Sequence, residues 1–217
     1  MNIIEVKREK FREPFPEMKE VSDRLDIHGA GNLIGNVNWK DYSYKPGVRF
    51  NIAYTEREIL IKYYIQEGYF LAEKTETNQM VCEDSCVEFF VSPANDAIYY
   101  NFEFNAIGTC LLGSGTGRSD SKVAPAAVVS GIRRLTSGMK KTDKEIIGKI
   151  AWNITLAIPF ETFFRHRISD LKGKTFRANF YKCGDKLTVP HYITWNPVGT
   201  PQPDYHRPEY FGLLKFV

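Results

Sequence analysis

The sequence contains no uninterrupted apolar run of about 18 residues, the length that a membrane-spanning helix needs, so no such helix and no membrane partner are expected. Its opening, MNIIEVKREKFREPF, holds neither a long apolar stretch nor a small-residue cleavage site, and it does not read as a secretion signal. A chain whose leader had been removed would look the same: a secreted or periplasmic location is expected in that case and a cytoplasmic one otherwise. Cysteine is scarce, with Cys82, Cys86, Cys110 and Cys183 making up the complement of four. Cys82 and Cys86 form one CxxxC group, and no second group of Cys or His stands at ligand spacing, so neither structural zinc nor any other metal or cofactor is expected. Each thiol is read as a small buried hydrophobe. An excess of charge is lacking too. The 29 basic and 26 acidic residues leave a net charge of +3, with the basic residues scattered, which argues against a nucleic-acid partner. Internal repeats, low-complexity segments and linkers are also missing.

Aromatic residues are abundant, at 14% of the chain with 12 Tyr and 15 Phe, and they favour strands over helical bundles. Period-two alternation marks strands at Val48–Tyr54, Glu58–Gln66, Gly148–Pro159 and Phe176–Cys183, with shorter runs at Gly108–Leu112, Tyr192–Trp195 and Leu213–Val217. A further strand is expected within Val123–Leu135, and Glu67–Val81 reads as a polar loop. Phe160–Arg167, begun after Pro159, reads as a short helix, and Glu17–Leu25 is a second candidate. Many short strands with turn signals between them and little helix predict an all-β chain, an antiparallel β-sandwich with one short helix. One domain is expected over residues 1–217, with residues 1–47, broken by Pro14, Pro16, Gly29, Gly31 and Gly35, as an irregular N-terminal extension packed on it.

The densest chemistry lies in Glu83–Gly108, EDSCVEFFVSPANDAIYYNFEFNAIG. Cys86–Val91 is apolar apart from Glu88, and the Pro-Ala-Asn-Asp sequence that follows is turn chemistry. Along Ile98–Asn105, Tyr99, Asn101, Glu103 and Asn105 fall on one face, and Tyr100, Phe102, Phe104 and Ala106 on the other. The apolar set is a core face. The amide–carboxylate–amide row suits hydrogen bonding to a polyhydroxylated ligand, and equally suits a solvated outer face of an antiparallel sheet.

Several other segments carry alternatives. Gly113–Asp120, GSGTGRSD, has the glycines of a phosphate loop but no Lys-Ser/Thr after it, and reads as a hairpin loop. Trp152, among isoleucines in mid-strand, is expected in the core. Trp195 sits at a strand end, where core rim and ligand platform are both open, and Trp39 is expected to plug one end of the sandwich. Tyr205 lies in a loop with four prolines, Pro197–Pro208, where it either presents a ring or packs on the sandwich end. Glu88 and Glu103, on neighbouring strands, are close enough to be read as the two carboxylates of a glycoside hydrolase. Met18, Met80 and Met139 with His28, His166, His191 and His206 are the residues that a haem-binding reading would use, and none stands in a pairing motif.

Taken in order, VRFNIAY, EILIKYYI, DSCVEFFVSP, YYNFEFNAIG, IPFETF, RANFYKC, ITWNP and HRPEYFGLLKF resemble the family 9 carbohydrate-binding modules, part of a wider DOMON-like β-sandwich superfamily. The resemblance runs from about Val48 to Val217. It implies carbohydrate binding rather than catalysis, in polysaccharide degradation and often in association with xylanases. It also implies that Glu88, Asn101, Asn105 and Tyr205 occupy binding positions, with Glu103 and Trp195 beside them. The chain departs from the family at Glu103, where a basic residue would be expected, and at Gln79–Asp84, where a second stacking Trp would stand. A sugar clamp lacking that wall is expected to bind nearer the millimolar range, roughly −4 kcal/mol.

Overall fold

The computed structural model describes residues 1–27, 29 and 31–217; His28, one of the histidines considered for haem, lies outside the described residues. In chain order the elements are β1 (Ile3–Arg8), α1 (Met18–Asp26), β2 (Asn32–Leu33), β3 (Asn36–Val37), β4 (Gly47–Tyr54), β5 (Glu58–Phe70), β6 (Cys86–Ser92), β7 (Tyr99–Asn105) and β8 (Cys110–Gly115). They continue with β9 (Lys122–Val123), α2 (Ala126–Ser130), β10 (Arg133–Thr136), β11 (Ile146–Pro159), β12 (Thr175–Cys183), β13 (Tyr192–Thr194) and β14 (Gly212–Phe216).

The strands follow one path, β10-β11-β5-β4-β1-β14-β12-β6-β7-β8-β9, folded so that its two halves face each other. The pairs are antiparallel except at β1. That strand runs parallel to β14, from Ile3 opposite Leu213 to Val6 opposite Phe216, and then parallel to β4 through Lys7 and Arg8. It therefore stitches the two sheets of the sandwich together. Between them lies a core drawn from both: Phe50 of β4 stacks on Phe180 of β12 at 3.8 Å, and Trp195 closes on both rings edge-on.

Alternation explains the strands at the centre. Val87, Phe89 and Val91 of β6 and Tyr100, Phe102 and Phe104 of β7 enter this core, as the apolar period required. Trp152 is buried as expected, its indole donating to Glu67 Oε1 at 2.6 Å.

Four sequence expectations differ from the structure. The N-terminal segment is only partly irregular: α1 forms at the Glu17–Leu25 candidate, but β1 was not expected, and Val21 and Leu25 of α1 pack on Ala53, Leu60 and Ala157, the outer face of β4, β5 and β11. The helix expected at Phe160–Arg167 is a single 3-10 turn, Phe160–Thr162, because Phe160 and Phe163 are both buried at the three-residue spacing of that turn. The segment read as a loop from Glu67 begins as strand, since β5 continues to Phe70 against Ile146 and Ile147 of β11. Within Val123–Leu135, α2 replaces strand over five residues before β10 begins at Arg133.

Candidate functional site: the outer face of β6, β7 and β12

The period that sends Val87, Phe89 and Val91 inward turns Cys86, Glu88 and Phe90 outward, and the same holds for Tyr99, Asn101 and Glu103 on β7. Register then assembles the floor. Glu88 stands opposite Glu103 on one side and opposite Tyr181 on the other, Phe90 is opposite Asn101, and Cys86 is opposite Cys183. This outer face is not solvated. A second apolar cluster that includes Trp39, Phe90, Tyr99, Tyr181, Tyr205 and Phe211 borders it, and loops rise around a cavity of about 460 Å3. A larger cleft of about 750 Å3 lies beside Ile3–Lys7, but it lacks the facing carboxyls and aromatic rings found here.

Glu88 and Glu103 are buried at 3% and 6% exposure, and no ion pair includes either among the described residues. Burial, then the charge of Glu103, pushes Glu88 well above the usual carboxylate range. Burial pushes Glu103 up to about 7 against a stabilising hydrogen bond from Asn101, whose Nδ2 donates to Glu103 Oε1 at 2.9 Å. Asp185, at the cavity edge, is raised to about 6, again by burial. Cys183 Sγ donates to Glu88 Oε1 at 3.0 Å.

Asn101 spends its amide nitrogen on Glu103, and its Oδ1 is buried without a hydrogen-bond partner among the described residues. The opposite residue on β8 is Gly113, and a Cβ there would stand 2.5 Å from that oxygen. Glycine is thus what leaves room for the Asn101 side chain.

The walls are aromatic and charged. Tyr42, from the N-terminal segment, meets Tyr192 edge-on at 4.8 Å, and both line the cavity. His206, which also lines the cavity, stands edge-on to Phe90 at 5.0 Å, held by a 2.7 Å bond between its Nδ1 and the Tyr99 hydroxyl. Burial, then nearby Arg118, lowers His206 to about 4, so it is neutral at pH 7. Arg118 comes from the glycine-rich loop and is paired with Asp204 at 3.1 Å. That loop is no phosphate cradle: the carboxylate of Asp120 already accepts from the backbone of Thr116 and Gly117.

The sequence of residues 22–216 matches the model of carbohydrate-binding family 9. The chain belongs to that family. A crystal structure from Bacteroides uniformis, provisionally described as a carbohydrate-binding protein, is 41% identical over 99% of both chains, with a TM-score of 0.94. Two family 9 modules from Caldicellulosiruptor kristjanssonii share the fold at much lower identity. One, in complex with glucose, is 9% identical over 100% of this chain and 96% of its own, with a TM-score of 0.59. The other, with cellotriose, is 10% identical over 99% and 93%, with a TM-score of 0.57. No curated protein matches the chain.

Within this family 9 module, the structure brings Glu88, Asn101, Glu103 and Tyr205 together around the cavity. Tyr205 contributes to a wall rather than standing free. Its ring stacks on Tyr181 at 3.9 Å and 7°, and its hydroxyl donates to Lys182 O. Asn105 and Trp195 are placed elsewhere. Asn105 donates to Lys74 O and Asp84 Oδ2 and accepts from Thr109 N, which uses its whole amide to tie down a loop. Trp195, 5% exposed, lies in the inter-sheet core. Sequence reasoning passed over Tyr42, Arg118, Asp185 and Tyr192, and considered His206 only for haem. All five come from loops or strand ends, where no period marks a face; only the Asp204–His206 pair beside Tyr205 offered a hint.

Proposed function

We propose that this cavity holds the end of a polysaccharide chain, of plant or host origin, and serves recognition during glycan degradation. Carbohydrate binding is the activity of the family. The observation that carries it is the Asn101 Oδ1 atom, a buried acceptor without a partner among the described residues, on a floor it shares with two carboxyls. A buried acceptor left unpaired costs roughly 1–3 kcal/mol, and a sugar hydroxyl both donates and accepts, so it suits this oxygen and the neighbouring carboxyls together. Tyr42, Tyr192 and Phe90 offer ring faces and edges for the apolar side of a pyranose, and the cavity volume lies within the range of about 300–1,000 Å3 typical of small-ligand sites. Tyr42 and Tyr192 supply the wall that the family places just before the β6 strand. The same fold holds glucose and cellotriose in two relatives.

A hydrolase would need its carboxyls on two sides of the scissile bond. Here Glu88 and Glu103 project side by side from one floor, which favours grip over cleavage. The test is a glycan panel against the pure chain. Wild type is expected to bind at least one polysaccharide or its terminal sugar. Asn101→Ala should weaken it about tenfold, the equivalent of about 1.4 kcal/mol, with the melting temperature nearly unchanged. Equal affinity of the variant for every ligand of the wild type would remove Asn101 from the site. Release of reducing ends that vanishes in Glu88→Gln would replace binding by catalysis.

A further inference from the structure

The antiparallel register of β6 and β12 puts Cys86 directly opposite Cys183, and the period of β6 puts Glu88 on the same face as Cys86. The Sγ atoms of both cysteines and a carboxylate oxygen of Glu88 lie within 4.8 Å of one another. We propose that these three residues bind a thiophilic divalent ion of the zinc type at the cavity floor.

Four arguments support the site. The first is geometric. Zinc bonds of about 2.0–2.3 Å set tetrahedral ligand atoms roughly 3.3–3.8 Å apart; Cys183 Sγ and Glu88 Oε1, now 3.0 Å apart, would open slightly, and no pair in the trio, all within 4.8 Å, would need to close by more than roughly 1–1.5 Å, which small side-chain rotations supply. The three side chains stand on two paired strands in the middle of a sheet, a rigid support for a ligand set. The second is chemical. Two sulfurs and one oxygen suit zinc, cobalt or cadmium; calcium and magnesium, which take shells of oxygen, are disfavoured. The third is electrical. Binding would release the two thiol protons, and with them any proton that Glu88 carries, in exchange for one divalent ion, and it would place a cation beside Glu88, which has no ion-pair partner among the described residues. The fourth is access. Cys183 and Glu88 both line the cavity, so an ion has a way in, and water from the cavity would complete its shell. The CxxxC spacing gave no hint of this, because the partner of Cys86 is not Cys82 but a residue 97 positions along the chain, met through strand pairing.

The proposal does not depend on any sugar. Cobalt(II) is titrated into the fully reduced chain and followed by absorbance. A thiolate-to-cobalt charge-transfer band in the near ultraviolet, tetrahedral bands in the visible, saturation at one ion per chain and displacement by zinc are the expected results. Cys86→Ser and Cys183→Ser should each weaken cobalt binding at least a hundredfold, and Glu88→Gln at least tenfold. Cys110→Ser, on the core face of β8, should leave it unchanged. Circular dichroism confirms that each variant is folded. Should a Cys variant fail to fold, the wild type still decides, because zinc must block chemical labelling of two thiols and raise the melting temperature. Absence of the charge-transfer band in the reduced wild type, loss of it on mutating Cys110, or its survival in a folded Cys86→Ser or Cys183→Ser chain would overturn the site.

Discussion

At the scale of single residues, the floor of the cavity holds together polar groups that folding alone does not reward. Glu103 faces Glu88 across a strand pair, both are out of water, and like charges directly opposite each other destabilise a sheet. Removing one charge should therefore stabilise the fold and harm binding. Glu103→Gln at pH 8 is expected to gain about 1 kcal/mol, roughly 2–4 °C in melting temperature for a chain of this size, while glycan affinity falls. A melting temperature that drops with affinity intact would mean that Glu103 is structural. Asn105 sets the opposite example. It sits one face-step further along β7, yet its donors and acceptor are all spent on Lys74, Asp84 and Thr109. Asn105→Ala should cost about 2–3 kcal/mol by stranding buried partners and leave affinity unchanged, as read by thermal melting and by the glycan panel.

At the scale of elements, what the sequence showed depended on periodicity. VRFNIAY, the Trp-centred run ending at Pro159, and FRANFYKC became β4, β11 and β12 because a buried face repeats every second residue. Glu88, Asn101 and Glu103 were legible for the same reason: a polar residue in step with an outward face stands out. What was illegible had no period. β1 is a strand because two other strands lend it hydrogen bonds, and α2 is a short, largely exposed turn anchored by Val129 alone. The walls are assembled by loops, and Asn101 and Asn105, identical in pattern, are told apart only by the segment that folds over the second. The loop carrying Tyr205 shows how far such a reading goes. Its four prolines do stiffen it, but the ring is held against Tyr181 beneath Trp39. Tyr205→Ala should thus lower stability by about 3–5 kcal/mol, the usual range for a buried aromatic, and weaken binding only through the loosened wall. Full stability in that variant would show the ring to be a free platform.

At the scale of the whole molecule, a buried polar network crosses between the sheets. The ammonium of Lys182 lies 2.8 Å from Glu67 Oε2 and donates to His191 Nε2 at 2.8 Å, and Tyr44 closes over the imidazole ring edge-on. Burial first, then the neighbouring Lys182 charge, lowers His191 from 6.5 to about 2. The sign follows from proton counting. Between these values the unfolded chain binds a proton that the folded chain refuses, so the contribution to stability is complete above about pH 6.5 and is lost as pH falls towards 2. Each pH unit in that window removes about 1.4 kcal/mol. Unfolding measured at pH 7 and pH 5 should show His191→Gln losing about 2 kcal/mol less than wild type over that interval. An equal loss in both would mean that His191 is already charged in the folded protein.

The parallel pairing of β1 with β14 has a mechanical consequence. These are the first and last strands of the chain, lying side by side and pointing the same way, with Ile3 against Leu213 and Val6 against Phe216. Tension applied at Met1 and Val217 would draw the two strands lengthwise in opposite directions. The hydrogen bonds between them would then carry the load at once, in shear, where a hairpin would let them open one after another. Stretched from its ends, the molecule should yield at the seam between its sheets, and only at high force, so the cavity on the outer face of β6 and β7 keeps its shape until that seam gives way.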